Sequence, residues 1–198
     1  MKKWNELTGE EFLRLLFERS PVIRNNEFEV YGDVVIDMST LLDPKPLYIS
    51  GVKFHGQVTI QGCCENITLK EATFFNQLTL QCTSGDITTI RDCNIFSLIF
   101  DECLMGTLSL FSTSIEKCMG LYRLKLKKGL IINNLSCGEI ELICPISLDT
   151  ISTPMVKTDN TAIAIQFHLA GIPVYISSTL AKTSAYQLGL KARPTKKG

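Results

Sequence analysis

The stretch ITLKEATFFNQLTLQCTSGD (67–86) is followed by ITTIRDCNIFSLIFDECLMGT (87–107) and LSLFSTSIEKCMGLYRLKLKKG (108–129), and LYISGVKFHGQVTIQGCCEN (47–66) precedes it. The chain thus repeats every 20 to 22 residues from Leu47 to Gly129, with two apolar pulses in each unit. One such unit has an apolar side that it cannot bury alone. Stacked copies close a continuous core, so the repeat predicts a solenoid.

Within the repeat, apolar residues come in i, i+2 pairs about five residues apart, which is strand periodicity broken by frequent corners. Examples are Ile67/Leu69, Ala72/Phe74 and Leu78/Leu80, then Cys93/Ile95, Leu98/Phe100 and Cys103/Met105. Four short faces then make one turn. Phe28 to Pro46 supplies a first, irregular coil ending in prolines. Inward pairs such as Val58/Ile60 stack at about 4.8 Å per coil, so five to six coils give a rod roughly 25 to 30 Å long. Thr59, Thr68, Thr79 and Thr88 occupy the residue between paired apolar positions and are expected to face outward in two ladders.

The five-residue beat of ATFFN (72–76), CNIFS (93–97) and LIFDE (98–102) resembles that of the pentapeptide-repeat proteins. The resemblance covers roughly Leu47 to Lys128 and implies a right-handed, four-sided parallel β-helix. The family's Ala-Asp/Asn-Leu core is seldom matched here, and Gln57 and Gln77 interrupt the count. A right-handed β-helix with two longer strands per coil therefore stays open beside it. Some members of the family imitate duplex DNA with an acidic rod and engage topoisomerases, and the resemblance carries that expectation too.

The expected architecture is all-β: an N-terminal capping helix in residues 1–27, a right-handed parallel β-helix in 28–149, and a C-terminal hairpin and basic tail in 150–198. Thr8 and Glu11 form a capping box, with Leu7 and Phe12 placed for a hydrophobic staple. Phe12, Leu15 and Leu16 share a helical face, and Ser20-Pro21 ends the run. Such a helix covers the open end of a stacked sheet, whose unpaired backbone groups invite association. Near the other end, Ile163, Ile165, Phe167 and Leu169 alternate, Ala170-Gly171 offers a turn, and Ile172, Val174 and Ile176 alternate again. A β-hairpin is expected, either covering the solenoid or pairing with a second chain. Its candidate oligomer-interface residues are Ile163, Ile165, Phe167, Ile172, Val174 and Ile176.

Charge is balanced overall at 20 basic and 20 acidic residues, but it is unevenly placed. Phe28 to Glu116 holds eleven acidic against four basic residues, whereas Lys117 to Lys128 holds Lys117, Arg123, Lys125, Lys127 and Lys128 and no acid. Arg123, Lys125, Lys127 and Lys128 are the candidate partner-binding strip. The tail after Asp159 is also purely basic. Neutral total charge argues against nucleic acid as a partner. Acidic residues interrupt the early apolar stretch, which does not read as a secretory leader, and no run is long enough to span a bilayer. A cytoplasmic location and no membrane partner are expected.

The eight cysteines lack the paired spacing of a zinc site. Cys63, Cys82 and Cys103 recur at one phase of the repeat and are expected to be reduced, inward-facing thiols. The two histidines, His55 and His168, stand far apart in sequence. Asp92, Asp101 and Glu102 do not form the paired carboxylates that polysaccharide-active β-helices use. No catalytic residue, cofactor site or metal site is assigned. The expected function is a non-enzymatic interaction module for a protein partner, as an inhibitor or immunity protein would be, with homo-oligomerisation through the hairpin possible. A bactofilin-like, end-to-end assembling subunit and a β-helix carbohydrate-active enzyme are the alternatives.

Overall fold

Residues one repeat apart in sequence lie side by side throughout the computed structural model, which describes residues 5–24, 27–143, 147–148, 155–169, 172 and 174–176. The N-terminal elements are β1 (Asn5–Thr8), α1 (Gly9–Glu18), β2 (Val22–Ile23), β3 (Phe28–Tyr31), β4 (Val34–Asp37), β5 (Lys45–Ser50) and β6 (Val52–Phe54). The body is β7 (Val58–Lys70), β8 (Thr73–Arg91), β9 (Asn94–Asp101), β10 (Leu104–Tyr122) and β11 (Lys125–Ile143). It ends in β12 (Ser147–Leu148), β13 (Met155–Thr158), α2 (Thr161–Leu169) and β14 (Val174–Ile176). All the pairings are parallel, and the strands wind into a β-solenoid of about six turns. Among the described residues, no helix is long and apolar enough to cross a membrane.

Register converts the sequence beat into stacked inward columns, four of which show the pattern. Val30, Phe54, Phe74, Ile95 and Ile115 form one, and Ile36, Ile60, Leu80, Phe100 and Leu121 a second. Ile49, Leu69, Ile90, Leu110 and Ile132 form a third. Gly85, Met105 and Leu126 line the fourth. Nearly every member of the first three columns is fully buried, and the Phe54 and Phe74 rings stack at 5.1 Å. The core is therefore a set of like-on-like ladders, each side chain packed on its counterpart one coil away.

The corners explain why strands so short can turn so tightly. Glu71, Cys82, Asp92, Glu102, Ser112, Arg123 and Asn134 all adopt left-handed backbone, with φ between 46° and 54°. The strand registers place Gly51, Glu71, Asp92, Ser112 and Asn134 on one edge and Gly62, Cys82, Glu102 and Arg123 on another. A side chain in this region costs about 1–2 kcal/mol. Ladder bonds across the corner offset it: the Glu71, Asp92 and Glu102 amides donate to the carbonyls of Arg91, Phe111 and Tyr122 at 3.0, 3.0 and 3.1 Å.

After four of these corners the next residue turns inward and carries a small donor. Thr83, Cys93, Cys103 and Thr113 recur ten residues apart, all buried. Each shares its hydroxyl or thiol proton between the carbonyl two residues back and one on the preceding coil. These bonds satisfy carbonyls beside each corner in an otherwise apolar interior. Thr is the better donor and Cys the more apolar filler, so the two alternate at one structural position.

Two expectations about orientation are corrected by this geometry. Thr59 and Thr79 form an outward ladder, but Thr68 is paired with Thr89, and Thr88 lies in register with Ile67 and Leu108 and is fully buried. The extra residues around Gly62 and the corner at Cys82 shift the phase by one position. The same shift leaves Cys63 and Cys82 exposed, while Cys103 points inward as expected.

Both ends carry a helix. At the N-terminus the capping box forms: the Glu11 amide donates to Thr8 Oγ1 at 3.2 Å, and the Thr8 amide donates to Glu11 Oε2 at 2.8 Å. α1 lays Phe12 and Leu16 into the core, with Phe12 edge-on to Phe54 at 5.1 Å. At the C-terminal end, the expected hairpin is replaced by α2 followed by β14, which pairs in parallel with β13. Asn160 caps α2 by accepting from the amides of Ala162 and Ile163 at 2.9 and 3.3 Å. The carboxylate of Asp159 accepts from the Asn134 amide and ties the cap to the last corner. Ile163, Ala164 and Phe167 sit at helical spacing and bury one face of α2, which the strand reading had split between two sides. The basic tail expected at 182–198 lies outside the described residues.

Thr88 Oγ1 is buried with no hydrogen-bond partner. Thr88→Val replaces that hydroxyl by a methyl of similar shape in an aliphatic column. It is expected to stabilise the protein by about 1 kcal/mol in denaturant unfolding, and an unchanged or lower midpoint would show that the hydroxyl is satisfied. Thr8→Ala should cost about 1 kcal/mol by removing the cap. Hydrogen bonds from Thr8 hold the Glu11 carboxyl below its ordinary value. Its contribution is thus present above the unfolded carboxylate pKa and lost as pH falls through the folded one, and Glu11→Gln should flatten that limb of the stability–pH curve.

Candidate interaction surfaces

Because coils stack in register, outward side chains also form columns, and two groups of columns leave the exposed surface chemically distinctive. The first lies on the face that follows the Gly62–Cys82–Glu102–Arg123 edge. Here Ser84, Leu104 and Lys125 stack in register, and Lys125, Lys127 and Lys128 are exposed, while Leu126 between them points inward. Leu104 is 40% exposed, and Ile87, one coil earlier, is 46% exposed. The strip found in the sequence thus borders an apolar spot, which the charge pattern alone did not reveal.

Arg123 differs from the three lysines. It sits on the left-handed edge directly after Glu102, and its guanidinium reaches Asp101 at 2.7 Å as well as the Glu102 carboxylate. It fastens one coil to the next and is turned toward its own chain. Next to it, the Tyr122 ring folds back over Gly120, where a Cβ would lie 2.7 Å from the ring and 2.8 Å from Ile99 Cδ1. The Tyr122 hydroxyl donates to Glu141, and this bond with the nearby negative charge pushes the phenol up to about 12.

The second surface lies on the face that begins after the Gly51–Glu71–Asp92–Ser112–Asn134 edge. Tyr31 stacks on His55 at 4.4 Å with planes 4° apart, and His55 stacks on Phe75 at 4.7 Å. Phe96 follows in the same column, with the Lys117 ammonium 6.0 Å from its ring. Tyr31, Phe75 and Phe96 are well exposed. At the foot of the column Glu29 accepts from Lys53 at 3.0 Å and from the Tyr31 hydroxyl at 3.0 Å, with His55 Nε2 at 3.3 Å. The Lys53 ammonium, then the Tyr31 hydroxyl, hold the Glu29 carboxyl below its usual range.

Beside the aromatic column runs a polar one, Thr73, Asn94, Ser114 and Ser136. Together they frame an open groove of about 420 Å³ lined by Thr73, Phe75, Asn94, Phe96, Ser114 and Ser136, among others. A second hollow of about 340 Å³ adjoins it and shares Ser136, Cys137 and Gly138, with Asn160, Ala162 and Gln166 at its far wall. The sequence reading missed this face. Its signal was an aromatic or histidine after four successive inward residues of one column, at positions 31, 55, 75 and 96.

The remaining candidates fall elsewhere. Ile163, Phe167 and Ile172 are buried in the chain's own core, and Ile165 and Val174 are half-buried, so the exposed apolar hairpin face envisaged for oligomerisation is not formed by them. Ile176 closes β14. His168 is exposed on α2, remote in sequence from His55, which follows β6. In comparisons with family models, with curated proteins and with solved structures, nothing matches this chain.

Burial pushes the Cys64 thiol up to about 12 and those of Cys93 and Cys103 to about 11. Glu102, accepting from the Cys82 thiol, also raises that exposed cysteine. Alkylation of the native protein followed by mass spectrometry should therefore label Cys63 first, Cys82 next, and Cys93 and Cys103 only on unfolding. Early labelling of Cys93 or Cys103 would contradict the inward corner positions.

Proposed function

We propose that this chain is a non-enzymatic interaction module whose rigid solenoid docks a protein partner through the basic, apolar-centred patch of Ile87, Leu104, Lys125, Lys127 and Lys128. The observation that carries this reading is the stacking of exposed Leu104 directly beneath exposed Lys125. Protein interfaces combine an apolar centre, which supplies binding energy, with charges that speed and orient encounter. Among the described residues, no ion pair engages Lys125, Lys127 or Lys128, so their charge is available to an acidic partner surface.

The likeness to pentapeptide-repeat proteins fits the stacked inward columns, and an inhibitor or immunity role fits a binder of this kind. The DNA-imitating version of that role draws less support. Glu29, Glu71, Asp92, Asp101 and Glu102, five of the eleven acidic residues in 28–116, each have a cationic side chain against them. Phosphate imitation needs that charge to be presented outward. End-to-end assembly in the bactofilin manner would have to displace α1, whose Phe12 and Leu16 are fully buried.

Affinity capture from extracts with the full chain tests the reading. Wild-type protein should retain a discrete partner, more weakly as salt rises. Lys125→Glu/Lys127→Glu/Lys128→Glu and, separately, Leu104→Ser should each reduce capture at least tenfold with an unchanged thermal midpoint. Capture that survives both variants, or a turnover activity that depends on a clustered surface residue, would overturn it.

A further inference from the structure

The aromatic and polar columns on the second surface are not used by the protein-docking patch, and their chemistry differs from it. The groove, from Thr73 to Ser136, is lined by hydroxyls, one carboxamide, one thiol and apolar side chains, with the Phe75 and Phe96 rings exposed, and Glu116 is the one carboxylate among its lining residues. A lining so nearly uncharged does not favour an ionic ligand. Its polar groups are hydroxyl and amide side chains, which both donate and accept. They are held on strands, so their spacing is fixed by the solenoid.

That spacing discriminates between linear ligands. Successive coils offer one polar and one aromatic side chain about every 4.8 Å, through Thr73/Phe75 and Asn94/Phe96, then Ser114. An extended peptide laid along the groove repeats its same-side groups about every 6.7 Å and falls out of phase within two coils. A chain of β-1,4-linked pyranose rings advances by close to one coil per ring and, because successive rings are flipped, repeats its same-side groups every two coils. Rings at the Thr73/Phe75 and Asn94/Phe96 coils then meet a hydroxyl or amide on one flank and an apolar wall on the other, and rings at Ser114 and Ser136 meet a hydroxyl. Pyranoses carry that combination of hydroxyl edges and apolar C–H faces.

We propose that this groove binds a linear, neutral, β-linked polysaccharide lengthwise, one sugar per coil, with Asn94, Ser114 and Ser136 hydrogen-bonding to hydroxyls and Phe75 and Phe96 forming the apolar wall. The adjoining hollow against α2, entered past Ser136 and Gly138, extends the groove by a further position beside Asn160 and Gln166. Binding is all that is inferred, since the lining supplies one carboxylate where glycoside hydrolysis uses two.

The test is isothermal titration of the full chain with β-1,4-linked gluco- and manno-hexasaccharides, using the corresponding monosaccharides and an anionic galacturonate oligomer as comparators. At least one neutral hexasaccharide should bind, its monosaccharide at least a hundredfold more weakly, and the anionic oligomer not measurably. Phe96→Ala and Asn94→Ala should each weaken binding tenfold or more, and Ser114→Trp, which fills the outward groove without touching the core, should abolish it. The triple Lys→Glu variant of the other patch should bind the hexasaccharide as wild type does, which separates this inference from the protein-docking reading. No heat with either neutral hexasaccharide, equal binding of the anionic oligomer, or binding that persists in Ser114→Trp would each overturn the proposal. Circular-dichroism melts matching wild type are required of every variant, and Asn94→Ala, a surface change, serves if Phe96→Ala fails to fold.

Discussion

The parallel backbone ladder between successive coils is the constraint on which everything else rests. Each strand donates to and accepts from both of its neighbours, so a coil can turn only where the ladder survives the turn. Left-handed corners at Glu71, Asp92 and Glu102 meet that condition, because their amides still reach a carbonyl one coil on. A local backbone cost is accepted at each corner, and the cooperative ladder offsets it. The Thr and Cys residues that follow complete the arrangement by satisfying carbonyls that the turn leaves inside.

Once register is locked, side chains lose their individuality and act as columns. Inside, this gives aliphatic and phenyl ladders with little tolerance for a misplaced group, and Thr88 is the place where that tolerance was exceeded. Outside, it multiplies whatever chemistry one coil presents. A single phenyl becomes a wall, a single hydroxyl a rail, and a run of lysines a rim beside Leu104. The acidic residues are treated differently: several are drawn into ion pairs, and those of Glu29 with Lys53 and of Asp101 and Glu102 with Arg123 join one coil to the next. Carboxylates counted along the chain therefore overstate the unpaired carboxylates shown to a partner.

The two ends illustrate how much depends on which periodicity prevails. Thr8, Glu11, Phe12 and Leu16 satisfy capping, staple and helical spacing at once, and the helix formed where all signals agreed. In TAIAIQFHL the same residues fit period two through Ile163, Ile165 and Phe167 and helical period through Ile163, Ala164 and Phe167. Asn160, placed to cap, was the local sign that the helix would win, and its anchoring by neighbouring Asp159 to the Asn134 corner is a contact 25 residues away in sequence.

The sequence by itself determined the solenoid, the length of its coil, the inward pairs and the N-terminal cap, because these follow from local periodicity and from hydrogen bonds between near neighbours. Only the tertiary structure decided phase and surface. Whether Thr88 or Thr89 faces out, whether Cys82 is buried, and whether Phe75 meets His55 depend on where each coil inserts an extra residue relative to the one beneath it. Such insertions shift every following side chain by one position, and since alternate strand residues face opposite ways, a single residue's slip exchanges core for surface. The candidate sites lie on that surface, so their make-up was fixed by register between coils, a long-range property that no local stretch of sequence contains.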